Sequence, residues 1–123
     1  MRLWLTLGAA SAFLSVAAGA FGAHALRARL TPDLLTIFET GARYHMYHSL
    51  GLIAIGLLGQ LRPSPLLNGA GWSLVVGILL FSGSLYAMAL SGVRALGAIT
   101  PLGGLGFLLG WLLFAVVAWR HAN

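Results

Sequence analysis

"LTPDLLTIFETGARYHMYHSLGLIAIGLLGQL", residues 30–61, begins like a surface helix and ends like a membrane span. The fold depends on where one gives way to the other. Thr31 can cap a helix, Pro32 suits its first turn, and Asp33 suits the positive end of its dipole. Leu34, Leu35 and Phe38 fall on one side, whereas Asp33, Thr36 and Thr40 fall on others. That pattern predicts a short amphipathic helix over about 32–40, lying in the membrane interface. Gly41 is expected to end it or bend it towards a span over about 44–61, which opens on two histidines and two tyrosines and stops at Arg62 and two prolines.

The rest of the chain is more apolar still. Of 123 residues, 59% are apolar and 7% charged, with mean hydropathy +0.93; a soluble domain carries about 25% charged residues. Each crossing needs about 20 mostly apolar residues, so the length accommodates four. The other three are expected over about 3–26, 70–90 and 101–119, the last opening on Pro101. Short joins make the set one antiparallel bundle. The fold class is therefore an all-α integral membrane protein: four transmembrane helices in a single domain, 1–123, with an interfacial helix after the first. Met1-Arg2 resembles the start of a signal peptide, but the first apolar run outlasts a signal core of about 7–15 residues, and a retained helix is expected.

Seven scattered arginines and two acidic residues give a net charge of +5. The arginines punctuate helix ends rather than cluster on one face, which excludes nucleic acid as a partner. They also leave orientation nearly balanced: Arg2, Arg62 and Arg120 lie on one side, and Arg27, Arg29, Arg43 and Arg94 on the other. The Arg120–His121 pair tips it towards cytoplasmic termini. The absence of cysteine removes thiolate ligands, iron–sulfur clusters and covalent haem attachment.

Small residues recur every four positions within the spans: Ser15, Gly19 and Ala23; Gly69, Ser73 and Gly77; Gly83, Ala87 and Ser91; Gly106 and Gly110. In lipid such stripes mark close helix contact, within the chain or between copies. "AGAFGAHAL" and "SGSLYAMAL" echo one another at the ends of the first and third spans, a similarity that chance among small residues also produces.

Antiparallel threading brings most polar side chains to one membrane face: His24, Glu39, Arg43, Tyr44, His45, Tyr47 and His48 from the first half, and Ser82, Ser84, Tyr86, Arg94 and Thr100 from the second. His45 and His48 share a helix face, with Tyr44 one turn before His48. Three chemistries fit. Tyrosine and histidine can form a headgroup-level collar; His24, Arg43, Tyr44, His48, Ser82, Ser84 and Tyr86 can make a polar lipid-head or quinone-head site; and His24, His45 and His48, with Glu39, can ligate a metal or haem. Threading favours grouping His48 with His24 and Tyr44. Glu39 is expected to pair with Arg43. No Asp, Glu or Lys lies inside a span, which argues against a proton-coupled carrier. Ser49 beside His48 lacks a nucleophile-elbow motif, which argues against a hydrolase.

"GAFGAHAL", "YHMYHSL", "LFSGSLYAMAL" and "TPLGGLGFLLGW", in this order, resemble the domain-of-unknown-function 423 family, small bacterial inner-membrane proteins similar to transmembrane protein 256. The resemblance covers nearly the whole chain and implies four spans. Its motif positions here are Gly19, Gly22, His24, Tyr44, His48, Ser82, Gly83, Ser84, Tyr86, Thr100, Pro101, Gly103, Gly104, Gly110 and Trp111. It brings no catalytic residue, substrate or cofactor. The expected function is that of a non-enzymatic structural or accessory inner-membrane protein without cofactor. It would pack through Gly19, Ala23, Gly77, Gly83, Ala87, Gly106 and Gly110 into a homo-oligomer or larger complex. The alternatives are a lipid- or quinone-binding protein or passive transporter, and a metal or haem protein.

Overall fold

The computed structural model describes residues 1–122, with side chains as far as Arg120; the side chain of His121 lies outside the described residues. Four long helices account for most of them, and no strand is present among the described residues. Helix α1 is Arg2–Leu26, α2 Pro32–Leu61 and α3 Pro65–Ser91; a 3₁₀ segment, Arg94–Ala98, leads into α4, Thr100–Ala122. Thr31 caps α2 by accepting the Leu34 N–H at 3.2 Å, and Ser64 caps α3 by accepting that of Leu66 at 3.2 Å, each followed by proline at the first helical position. Gly92, at φ 74°, closes α3 in the left-handed conformation that glycine adopts without steric cost.

Residues 32–61 form one unbroken helix, so the separate interfacial helix over 32–40 and the break at Gly41 are not observed. Gly41 serves a contact instead. A Cβ there would meet the Tyr86 ring at 3.1 Å, and the Gly41 carbonyl accepts the Ser82 hydroxyl at 2.8 Å. The amphipathic stretch before it packs on the bundle rather than apart from it: Phe38 is buried against Ala23 and Ala89, with the Tyr86 ring 5.0 Å away. At 1.5 Å per residue α2 is about 45 Å long, exceeding a hydrocarbon core of about 30 Å.

The helices run antiparallel. At one end Trp4 Nε1–H donates to Asn68 Oδ1 at 2.9 Å, and the Trp4 and Trp72 rings meet edge-on. At the other, Asp33 pairs with Arg94, and Ser84 shares a 2.6 Å hydrogen bond with Thr100. Helix α1 packs chiefly on α2, α3 chiefly on α4, and α2 and α3 join the two pairs. Trp4, Leu52, Ile55, Leu67, Leu74, Phe107 and Val117 form the main core. Each helix flanking α2 in sequence contains a π turn, Ala17–Gly22 in α1 and Ile78–Ser82 in α3. Ser15, just before the first turn, donates to the Ala42 carbonyl and Ser82, which ends the second, to that of Gly41, both at 2.8 Å.

Most of the glycine contacts are internal. Gly77, Gly103, Gly106 and Gly110 line the α3–α4 seam, and Gly8, Gly56 and Gly59 the α1–α2 seam, where Leu5, Ile53 and Met1 fill the missing side-chain space. Ala23 is buried, and Gly19 faces Ala42. Gly83 and Ala87 take no part in these seams: a Cβ at Gly83 meets nothing within 4 Å, and Ala87 is exposed.

The outer surface is apolar, with Phe13, Phe21, Leu79, Leu108 and Trp119 each at least 67% exposed. Continuous surface of this kind marks contact with lipid or protein. Three helical stretches, Arg2–Leu26, Pro65–Ser91 and Arg94–Arg120, are long and apolar enough to cross a membrane. Helix α2 does not qualify on composition because of its histidines and tyrosines.

The seam supplies a matched test. A Cβ on Gly103 would lie 2.7 Å from Phe81 Cα, whereas one on Gly104 meets nothing within 4 Å. Gly103→Ala is expected to cost about 1–3 kcal/mol and Gly104→Ala to be neutral or mildly stabilising, as measured by thermal unfolding in detergent.

Candidate functional site

The polar residues of α2 divide between two sides of the helix. On the α1 side, His45 is buried and both its ring nitrogens are engaged, Nδ1 with the Tyr86 hydroxyl at 3.0 Å and Nε2 with the Ser11 hydroxyl at 2.9 Å. Ser11 lies 2.6 Å from Ser49, and Ser49 donates to the His45 carbonyl at 2.7 Å. With the imidazole neutral, one arrangement of hydrogens satisfies this chain. The Ser49 proton goes to the carbonyl, so Ser11 donates to Ser49; Ser11 must then accept from His45 Nε2–H, and His45 Nδ1 accepts from Tyr86. The result is a directed series from Tyr86 through His45, Ser11 and Ser49 back to the His45 backbone, with each proton used once.

This series forms one end of a cleft of about 260 Å³ between α1, α2 and α3. Tyr86 and Ser82 lie towards the end where α2 begins; Leu7, Leu52 and Val75 continue the wall towards the opposite end. Gly83 also faces the cleft, and its lack of a side chain keeps the wall open.

His48, one turn on, faces α4. Its Nδ1 lies 2.6 Å from the Tyr44 carbonyl, so in the neutral ring Nδ1 carries the proton and Nε2 the free lone pair. The ring stacks on Phe107, with centroids 3.4 Å apart and planes 6° from parallel. The two histidines thus adopt opposite tautomers. His48, Tyr44, Phe81, Phe107 and Trp111 line a second cleft of about 390 Å³.

The residues grouped from the sequence therefore do not form one cluster. Tyr86 and Ser82 belong to the first cleft, Tyr44 and His48 to the second, and Ser84 to the link with Thr100. His24 and Arg43 are exposed, so the expected pairing of His24 with His48 is replaced by that of His45 with Tyr86. Arg43 and Glu39 border a shallow recess between α1 and α2, and the one ion pair among the described residues is Asp33–Arg94 rather than Glu39–Arg43. His24, His45 and His48 do not converge, and among the described residues no three His, Asp or Glu side chains are placed to hold a metal ion. Ser11 and Ser49 are the members that sequence reading misses. The available signal was the i,i+4 spacing of Ser11 with Ser15 in a mostly apolar helix, where hydroxyls need partners on one facing helix.

An all-helical chain with a largely apolar exterior and three helical stretches long and apolar enough to cross a bilayer is a membrane protein. A family model described as "Protein of unknown function (DUF423)" matches residues 18–104. The chain is 47% identical to a UPF0382 membrane protein of Staphylococcus epidermidis over 123 residues, covering both chains completely. It is 43% identical to the UPF0382 membrane protein YwdK of Bacillus subtilis over 122 residues, 98% of this chain and 99% of that one. A Staphylococcus aureus relative of the same designation is 40% identical over both full lengths. The chain belongs to this DUF423/UPF0382 family of membrane proteins of unknown function. No solved structure matches it.

The directed series is testable by nitrogen NMR of labelled histidine. His45 is expected to show protonated Nε2 and bare Nδ1, and His48 the reverse. Tyr86→Phe removes the only donor to His45 Nδ1 and is expected to lower stability by about 0.6–2 kcal/mol, read as a drop in melting temperature.

Proposed function

We propose that this protein is a non-enzymatic, four-span protein of the bacterial inner membrane that holds the acyl or isoprenyl chain of a membrane lipid in the cleft between α1, α2 and α3. Helix α2 is the fourth crossing. Its buried His45 is hydrogen-bonded by Ser11 and Tyr86 of neighbouring helices, and Leu50, Leu57 and Leu61 on its outward side are apolar. Four crossings put both termini on one side, and the sequence favours the cytoplasm.

The observation that carries the binding assignment is the polarity gradient along the first cleft. Its deep wall is aliphatic, and its polar groups gather at one end around Tyr86, matching a lipid with its neck at the membrane face and its chain inside. Tyr86, which lines the cleft, donates to His45 through its hydroxyl, whose oxygen retains acceptor capacity. Assembly through glycine stripes draws on less, because Gly77, Gly106 and Gly110 already pack within the chain.

Gly83→Leu should fill this cleft without displacing any neighbour. Lipid co-purifying in mild detergent, quantified by native mass spectrometry, is expected to fall at least fivefold in this variant with the melting temperature maintained. Equal lipid in both proteins would contradict the assignment.

A further inference from the structure

The second cleft has a chemistry that the first lacks. His48 donates through Nδ1 to the Tyr44 carbonyl, and its Nε2 has no hydrogen-bond partner among the described residues. No side-chain nitrogen or oxygen among the described residues is both sealed and unpartnered, so Nε2 is open to the cleft that His48 lines. The surrounding surface is aromatic: Tyr44, Phe81, Phe107 and Trp111. The Tyr44 and Phe81 rings are 4.8 Å apart, and His48 lies flat on Phe107. Among the described residues, no charged side chain lines the cleft. An unpaired acceptor in an apolar setting selects a neutral ligand that donates a hydrogen bond, and aromatic walls select a flat ring. Leu105 and Leu108, 62% and 69% exposed, continue the cleft outwards and give an apolar tail a route into lipid.

We propose that the cleft between α2, α3 and α4 binds the hydroxylated ring of a lipophilic quinol, with His48 Nε2 accepting the ring hydroxyl and the tail leaving past Leu105 and Leu108. The corresponding quinone presents only carbonyl acceptors to the same nitrogen and is discriminated against. This shares with the proposed function the membrane setting and nothing else, since the two clefts lie on different sides of α2.

The test uses the intact protein in lipid nanodiscs, titrated with decylubiquinol, decylubiquinone and farnesol against empty discs. Decylubiquinol is expected to bind at least tenfold more tightly than decylubiquinone. His48→Phe, which retains a ring to stack on Phe107 but removes the acceptor, is expected to erase that difference. Gly104→Leu, at a position where a Cβ meets nothing within 4 Å, is expected to abolish binding of both. Melting temperatures near that of the unsubstituted protein certify each variant as folded. Equal binding of quinol and quinone, or a preference that survives His48→Phe, overturns recognition by His48. Farnesol, which bears a hydroxyl without a ring, is expected to bind more weakly than decylubiquinol, and equal binding overturns the aromatic-head assignment. If no probe binds while Gly83→Leu still depletes lipid, this inference fails and the first cleft's assignment stands. Quinol binding that depends on His48, with lipid unaffected by Gly83→Leu, gives the converse.

Discussion

A buried polar group in lipid must find its partner within the chain, because no water is present to substitute. Helix α2 concentrates the buried polar groups of this bundle. Its inward side presents His45, His48, Ser49 and the carbonyls of Gly41 and Ala42, and the surrounding helices are arranged to meet them. Ser15 of α1 and Ser82 of α3 bond adjacent carbonyls, Ser11 and Tyr86 bracket the His45 ring, and Phe107 of α4 covers the His48 ring. The glycines then allow the close approach that these short hydrogen bonds require. Gly8, for example, brings α1 to a separation at which a Cβ would lie 2.9 Å from the Ser49 carbonyl.

The opposite tautomers of His45 and His48 follow from the same constraint and divide the molecule chemically. His45 is held by side chains on two other helices and has no ring nitrogen to spare, so it organises the bundle and positions Tyr86. His48 satisfies Nδ1 within its own helix, which frees Nε2 to face a cleft. Two histidines three residues apart therefore sit differently, one joining helices through both ring nitrogens and one bonded within its own helix. Both π turns lie where α1 and α3 deliver serines to α2, in keeping with the tendency of such turns to re-aim one helix face locally.

Part of the architecture is legible in the sequence because capping and apolar length are local properties: Thr31 and Pro32 mark a helix start that the structure reproduces, whereas the helix expected from about residue 70 already begins at Pro65. The Gly41 break is misread because a glycine's role in helix packing depends on what faces it, here Tyr86, 45 residues away in sequence. The polar face is legible as a region, since antiparallel threading alone gathers its residues. Its internal grouping is not, because the rotational phase of each helix decides whether His45 or His48 meets Tyr86. Periodicity also explains why Ser15 reads as merely small, when its hydroxyl is half of the clamp on α2.

Placing α2 across the membrane at the centre of the bundle is the claim on which both clefts depend. A spin-label scan of residues 44–61 in lipid bilayers tests it most directly. Labels at Leu50 and Leu57, each 54% exposed, are expected to collide freely with oxygen dissolved in lipid and to be shielded from a water-soluble nickel complex. Labels at Leu52 and Ile55, both essentially buried, are expected to be shielded from both. Free access of the nickel complex to positions 50 and 57 would place α2 at the membrane surface and contradict the account.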